Sequence, residues 1–493
     1  MEKRQPALDA LRGLAIIGMV LSGTITRVGL PAWMYHAQVP PPQFQFNPNV
    51  SGITWVDLVF PFFLFAMGAA FPLAMQKRLP EAEPFPVKVI SRIIWRGLVL
   101  AGFAIALYHT SVFNLDKGPK YLVMTFGLLA FICFSLIFLQ WDRLPWFRKV
   151  GSETGADHEQ AEGIRGEGAK IFSFLPVTWI QLAGWGLLAV LIGFYHYQGW
   201  LAFDPYRCDI IILLLANSAV FGAIFWLFTR GDWLLRLAIM AFLLALRLSY
   251  ETESSWPQGL WSWSPVPFLY RFSYLQYLLI VLPGSIAGEI LRHVRTGQRK
   301  ALTVADPYIG ALIGIPVLLA FNLICLYGRY LEVNLLGSLL LIFTSGLLFQ
   351  RDTSPTFRAY RQLFWWGGML LLIGLCFEAY EGGIKKDPAT LSYYFVGAGL
   401  GFLVLLFFSL LLDYFGFRKG FGWLLHTGAN PMVGYTAANY VVIPLLTLIQ
   451  VMPIIDQLGA VGSWTGFLRG VLLTGLAVLL TSWANRRGFI WRT

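Results

Sequence analysis

Long apolar runs recur along almost the whole chain and constrain its fold more than any other feature. A run of about eighteen residues is long enough for a helix to cross roughly 30 Å of hydrocarbon. Of the 493 residues, 57% are hydrophobic and only 13% are charged. Transmembrane barrels have short segments of alternating polarity instead, and this sequence has no such segments. The runs therefore predict an all-α, polytopic bundle of transmembrane helices.

The number of spans is predicted as 11–14, with fourteen candidate runs. The runs at 232–248 and 333–350 are the shortest and least distinct. The candidate spans are residues 8–28, 56–76, 91–110, 121–140, 177–196, 209–228, 232–248, 269–291, 306–327, 333–350, 362–380, 391–414, 430–450 and 465–484.

Basic residues cluster in alternate loops, which predicts the orientation of the chain. A cytoplasmic N-terminus places most Lys and Arg residues in cytoplasmic loops, as the positive-inside rule requires. We therefore expect both termini to be cytoplasmic, in a multi-pass protein of the bacterial inner membrane surrounded by lipid. The same rule accounts for the net charge of +11. Because the sequence has no soluble basic domain, we predict no nucleic-acid partner.

One segment interrupts the hydrophobic pattern. Residues 151–170 are polar and rich in Gly and Glu, which predicts a flexible cytoplasmic loop at about 150–170. No soluble domain is predicted elsewhere. We therefore interpret residues 1–493 as a single integral membrane domain.

The cysteines argue against a metal centre or a disulfide framework. All four stand singly in or beside apolar runs, and no CxxC or mixed Cys/His spacing is present. The sequence therefore predicts no metal site.

The loop between the first two spans contains the first candidate for acid–base chemistry. His36 lies in this loop, and Asp57 begins the second span, where the helix dipole favours an anion. Histidine exchanges protons near neutral pH, and a nearby carboxylate orients its ring and stabilises its charged form. With the predicted orientation, the pair is extracytoplasmic. The alternative is a histidine with only a structural role at the membrane interface.

Ionisable residues at other span ends have two interpretations. Asp9 and Arg12 are three residues apart on the first span and therefore share a helix face. Both a local ion pair and a role in holding an anionic cofactor fit this spacing. In the loop at 378–390, we expect a solvated cluster of charged residues, namely Glu378, Glu381, Lys385 and Lys386.

Glycines spaced four apart indicate helix packing. Gly284/Gly288 and Gly310/Gly314 lie inside apolar runs, where this spacing lets two helices approach closely. A phosphate-binding loop would need an exposed helix start instead.

Three early segments together carry a resemblance to a known family. Residues 7–20 read ALDALRGLAIIGMV, the His36 loop follows, and residues 54–68 read TWVDLVFPFFLFAMG. The chain resembles the heparan-α-glucosaminide N-acetyltransferase-like family of transmembrane acyltransferases, most strongly over residues 1–110. Further similarities lie at 91–96, 282–291, 383–393 and 428–435.

The resemblance implies a reaction and roles for several residues. Family members use cytoplasmic acetyl-CoA to acetylate a terminal amino sugar on the far side of the membrane. His36 occupies the position of the family's proposed catalytic histidine, and Asp57 matches the aspartate before L-V-F-P. His36 would deprotonate the acceptor or accept the acyl group covalently, and Asp57 would orient it.

Cofactor-binding positions follow from the same interpretation. The phosphates of CoA would lie near the inner basic residues Arg12, Arg92 and Arg96. Asn430, at the start of a late span, would line a polar pocket.

The sequence thus predicts a CoA-dependent membrane acyltransferase acting on an extracytoplasmic glycan or amino sugar. The alternatives are a transporter or flippase for a sugar or lipid-linked glycan, and a scaffold without catalysis. The acceptor, N- or O-acylation, a covalent acyl-histidine and a homodimeric assembly remain open.

Overall fold

The computed structural model describes residues 5–27, 29–75, 87–115, 117–141, 177–294, 307–347 and 355–492. Within these ranges the regular structure is helical, and no β-strand forms beyond isolated bridges. This confirms the predicted all-α class. The polar loop predicted at about 150–170 lies outside the described residues.

The helices follow the apolar runs. In chain order they are α1 (Pro6–Thr24), α2 (Trp55–Met75), α3 (Val87–Thr110), α4 (Lys120–Phe138), α5 (Val177–Tyr197), α6 (Ile210–Phe228), α7 (Trp233–Ser249), α8 (Trp256–Trp261), α9 (Leu278–Leu291), α10 (Pro307–Gly328), α11 (Leu331–Gly346), α12 (Pro355–Cys376), α13 (Leu391–Phe408), α14 (Gly422–Ala429), α15 (Pro431–Ala437), α16 (Ile443–Leu448), α17 (Met452–Ala460) and α18 (Ser463–Arg486).

Among the described residues, twelve helical segments are long and apolar enough to cross a membrane. The two least distinct candidates form α7, with 17 residues, and α11, with 16 residues. They are helical but shorter than the other candidate spans. The chain is an integral multi-pass membrane protein, within the predicted range of 11–14 spans.

Glycines bring α2 and α9 into backbone contact. A Cβ atom added at Gly284 would lie 2.3 Å from the carbonyl oxygen of Phe65, and one at Gly288 would lie 2.2 Å from that of Ala69. The packing role predicted for this glycine pair is confirmed. At Gly314 the nearest such atom is Ser345 Oγ on α11, 3.6 Å away, which is ordinary van der Waals contact and not the close backbone approach of α2 and α9.

Helix α13 lies at the centre of the bundle and fixes the position of α2. It packs against α2, α9 and α12, and nearly all of its residues are buried. The Tyr393 hydroxyl, in its first turn, donates a hydrogen bond to the Asp57 carbonyl oxygen at 2.9 Å. The start of α2 is thereby held against the core.

Helices α1 and α14 pack closely at the other end of α1. A Cβ atom at Gly13 would lie 2.1 Å from the Leu424 oxygen, and one at Gly428 would lie 1.7 Å from the Asp9 oxygen. Two of the segments that carry the family resemblance therefore touch each other. Both ends of the described chain lie beside α14; which side of the membrane this is remains a prediction.

Candidate active site

His36 and Asp57 lie side by side where the loop after α1 meets the start of α2. His36 Nδ1 is 3.3 Å from Asp57 Oδ1. The Asp57 side chain is fully buried, whereas 21% of the His36 side chain is exposed. Solvent therefore reaches the His36 ring but not the Asp57 carboxylate.

One oxygen of Asp57 is fixed by the loop and by the helix start. Oδ2 accepts hydrogen bonds from the Thr54 backbone N–H at 2.9 Å and the Ala37 N–H at 3.2 Å. The Thr54 hydroxyl lies 3.3 Å from Oδ2 and has a shorter hydrogen bond, of 2.7 Å, to the Tyr35 carbonyl. The Thr54 hydroxyl in turn accepts a hydrogen bond from the Val56 N–H at 3.3 Å. This reciprocal arrangement is a variant of the capping box, in which the hydroxyl accepts from the second helical N–H and not the third. It leaves Oδ1 directed towards His36.

The other oxygen of Asp57, Oδ1, lies beside His36. Oδ1 is buried and accepts no hydrogen bond within the described part of the chain. Buried polar atoms normally have a partner. His36 Nδ1, 3.3 Å away, would become that partner if it carried a proton and the ring turned towards Oδ1.

The structure allows two tautomers of His36. Nδ1 lies 3.0 Å from the Gln38 N–H and accepts its hydrogen bond when the ring proton is on Nε2. A proton on Nδ1 would leave a lone pair on Nε2. In the present ring orientation that proton is not directed at Asp57 Oδ1, because the two atoms are 3.3 Å apart and form no hydrogen bond, so the ring must turn to make one. Only the second tautomer can take a proton from a substrate through Nε2.

Burial favours the neutral ring. Desolvation lowers the pKa of His36 from its ordinary value of 6.5, the Asp57 charge partly opposes this, and the Lys386 charge adds to it. His36 is therefore an uncharged imidazole at neutral pH, as a general base must be.

A second loop, residues 378–390, covers the site. The Gln38 side chain accepts a hydrogen bond from the Asp387 N–H at 2.8 Å and donates one to the Asp387 carbonyl. Lys386, on the same loop, places Nζ 3.9 Å from Asp57 Oδ1. Sequence reasoning missed Lys386 and Gln38 as site residues. The one signal that pointed to Lys386 was the similarity at residues 383–393.

The acidic residues of this loop are not solvated, and that expectation is wrong. The buried Glu378 forms an ion pair with Arg329, and the mostly buried Glu381 forms one with Arg247. These pairs attach the second loop to the ends of α10 and α7.

The three basic residues predicted to bind a cofactor lie on two helices. Arg12, on α1, forms an ion pair with Asp9 at 3.3 Å. Arg92 and Arg96 are exposed on α3, which packs mainly against α6, whereas α1 packs against α2 and α14.

The side chain of Asn430 forms hydrogen bonds with the protein backbone. Its buried amide donates a hydrogen bond to the Phe489 carbonyl at 2.8 Å and accepts one from the Trp491 N–H at 3.2 Å. This fastens the C-terminal segment to the junction of α14 and α15. The geometry favours an anchoring role over the predicted pocket role.

Two adjoining cavities lie away from this pair. The larger, of about 480 Å³, and the smaller, of about 130 Å³, share Tyr108 and Asn114 in their linings. In the smaller cavity, the Tyr435 hydroxyl donates a hydrogen bond to Asp209 at 2.8 Å, and burial raises the pKa of Asp209. Sequence reasoning did not single out these residues.

The described residues contain no group of three His, Cys, Asp or Glu side chains that could hold a metal ion.

Comparison with a curated protein points in the same direction as the motifs. The chain is 25% identical over 150 residues to heparan-alpha-glucosaminide N-acetyltransferase of Mus musculus. The match covers 29% of this chain and 20% of the mouse protein, so this chain spans about a fifth of that relative's length.

A family model matches residues 4–152 and 176–291, which include α1, α2 and the His36 loop. With more than half of its 493 residues matched, the chain belongs to the family described as "Domain of unknown function (DUF5009)".

Proposed function

We propose that the protein is a membrane acyltransferase in which His36 and Asp57 move the proton of the reaction. The observation that carries the proposal is the partly exposed His36 ring, whose Nδ1 lies 3.3 Å from the buried, unsatisfied Oδ1 of Asp57. The similarity to a membrane N-acetyltransferase supports acyl transfer over other uses of such a pair.

The proposed donor is acetyl-CoA and the proposed acceptor is an amine or hydroxyl of an amino sugar or glycan. In the Nδ1–H tautomer, His36 Nε2 takes the proton of the acceptor while the acceptor attacks the thioester carbonyl. The C–S bond breaks, and the imidazolium returns the proton to the leaving thiolate, which gives CoA and the acetylated acceptor. Asp57 Oδ1 stabilises the imidazolium through Nδ1–H.

A covalent route uses the same atoms in a different order. His36 Nε2 attacks the thioester carbonyl and the CoA thiolate leaves; the acceptor then attacks the acetyl-imidazole, the acetyl group passes to it, Nε2 is released, and the acceptor proton goes to the thiolate. Acetyl transfer to His36 in the absence of any acceptor distinguishes this route from direct transfer.

The donor would enter from the opposite, cytoplasmic end. Arg12, Arg92 and Arg96 are the proposed phosphate contacts. The extended pantetheine arm spans about 15–20 Å, enough to bring the acyl group into the far half of a core about 30 Å thick. Residence in a bacterial inner membrane belongs to the same proposal.

The test is acetyl transfer by the purified full-length protein in nanodiscs. Labelled acetyl-CoA is incubated with a panel of amino sugars, and labelled product is counted for wild type, His36→Ala and His293→Ala. His293 is exposed after α9 and outside the proposed site, so its variant controls for the loss of a histidine. We expect product with wild type and His293→Ala and a large loss with His36→Ala.

Equal transfer by wild type and His36→Ala would contradict the role of His36. Sugar accumulation in proteoliposomes without CoA, together with no transfer, would replace the proposal with a transporter.

A further inference from the structure

Asp57 Oδ1 has two candidate partners within 4 Å. His36 Nδ1 lies 3.3 Å away and Lys386 Nζ lies 3.9 Å away. The oxygen is buried and accepts no hydrogen bond in the described structure. A small movement of either group towards it would satisfy it. Because the other carboxylate oxygen already accepts from two backbone N–H groups, the two groups compete for this one atom.

Lys386 is held in this position by its loop. The Gln38 side chain holds Asp387 through both its backbone N–H and its carbonyl, immediately after Lys386. Glu381 accepts a hydrogen bond from the Leu391 N–H at 2.6 Å and forms an ion pair with Arg247. The Lys386 side chain itself is 21% exposed, so its ammonium group is partly withdrawn from water.

The neighbouring residue Lys385 provides a contrast. Its backbone N–H donates a hydrogen bond to the Thr390 hydroxyl at 3.0 Å, and among its described contacts none is to Asp57 or His36. The two lysines have the same charge and the same loop, but only Lys386 reaches the carboxylate.

We propose that Lys386 is a positioning residue that competes with His36 for Asp57 Oδ1 and thereby sets which nitrogen of His36 carries the proton. With Lys386 on Oδ1, the ring keeps its proton on Nε2 and accepts the Gln38 N–H through Nδ1. With Lys386 displaced, the ring turns, Nδ1–H bonds to Oδ1 and Nε2 becomes a base. The predicted change in reaction rate rests on the proposed function, whereas the predicted change in the tautomer of His36 does not.

The surroundings of His36 are otherwise simple. The charged groups that act on the ring are Asp57 from α2 and Lys386 and Asp387 from the second loop. The cation opposes ring protonation and the two carboxylates favour it. Removing Lys386 therefore raises the pKa of His36 and increases the fraction with the proton on Nδ1.

Nitrogen NMR of the full-length protein tests the competition directly. The protein is labelled with ¹⁵N at its six histidines, and the His36 signals are assigned by their loss in His36→Gln. The ring-nitrogen shifts report both the pKa and the tautomer. For Lys386→Met we expect a higher pKa and more Nδ1–H tautomer. We expect wild-type values for Lys385→Met and near wild-type values for Lys386→Arg, which keeps the charge.

An unchanged His36 titration and tautomer ratio in Lys386→Met would overturn the proposal. Equal changes in Lys385→Met would also overturn it, since they would indicate a general charge effect. If Lys386→Met is not recovered folded, Lys386→Gln makes the same comparison with a polar side chain.

The rate adds a second readout. We measure the acetyl-transfer rate as a function of pH. In Lys386→Met the fall in rate towards low pH, the acidic limb, should move to higher pH, and the constant rate at high pH should increase. A merely structural loss would lower the rate at every pH without moving the limb. If no acetyl transfer occurs in any variant while the NMR changes appear, the proposed reaction fails and the role of Lys386 stands.

Discussion

Asp57 and Asn430 are both fully buried polar side chains, but their hydrogen bonds differ. The Asn430 amide uses its donor and its acceptor on the backbone of the C-terminal segment. Asp57 uses one oxygen in the same way and leaves the other beside a titratable ring. A satisfied buried group stabilises the fold, whereas an unsatisfied one beside a histidine can respond to protonation. We therefore propose a structural role for Asn430 and a chemical role for Asp57.

The largest effect is expected from Gly428→Ala, at the Asn430 end of the molecule. The new Cβ atom would lie 1.7 Å from the Asp9 carbonyl oxygen, so α1 and α14 would have to separate. Overpacking of this kind costs about 1–3 kcal/mol, occasionally more. We expect little folded protein by size-exclusion chromatography in detergent.

Gly422→Ala is the matched control on the same helix. A Cβ atom there meets nothing within 4 Å, so the yield should equal that of wild type. Equal recovery and thermal stability of both variants would contradict the close contact between α1 and α14.

Asp57→Asn should reduce activity strongly. The amide can keep the two backbone hydrogen bonds of Oδ2 through its oxygen, but its NH₂ group then faces His36 Nδ1 and holds the proton on Nε2. General base catalysis contributes about 10²–10⁴-fold, so we expect a loss of that order in kcat/KM for acetyl transfer. A rate within a few-fold of wild type would show that the carboxylate does not act through the ring.

Asn430→Ala should lower the stability of the protein and leave its activity unchanged. It leaves the Trp491 N–H and the Phe489 carbonyl without their partner, at a cost of about 1–3 kcal/mol for a buried group. We expect a lower thermal midpoint and an unchanged transfer rate per folded molecule. A reduced rate with wild-type stability would instead support the pocket role predicted from the sequence.

The pH dependence gives the smallest expected effect. A general base acts in its neutral form, so the rate falls as pH decreases through its pKa. Burial lowers the pKa of His36 from 6.5, and the acidic limb of kcat/KM should therefore lie below pH 6.5. A limb above that value would contradict the balance of burial and charge described for the site.

The sequence predicted the features that depend on neighbouring residues. Span positions follow from apolar runs, and the short helices α7 and α11 fall at the two least distinct candidates. The His36–Asp57 contact was predictable because Asp57 begins the helix that follows the histidine loop. The variant capping box at T-W-V-D fixes that helix start locally.

Contacts between distant segments were not predictable from pattern alone. Gln38 and Asp387 are 349 residues apart in the chain, and no local signal joins them. The ion pair of Glu378 with Arg329 removes that carboxylate from solvent, although its sequence context is a polar loop. The role of Asn430 likewise depends on a segment at the far end of the chain.

The most direct measurement is chemical rescue of His36→Ala. Acetyl transfer from labelled acetyl-CoA is measured per folded molecule in nanodiscs, with and without added imidazole, against wild type and Asn430→Ala. We predict a loss of about 10²–10⁴-fold in His36→Ala, partial recovery with neutral imidazole, and full activity per folded molecule in Asn430→Ala. A wild-type rate in His36→Ala without imidazole would contradict the assignment of His36 as the catalytic base.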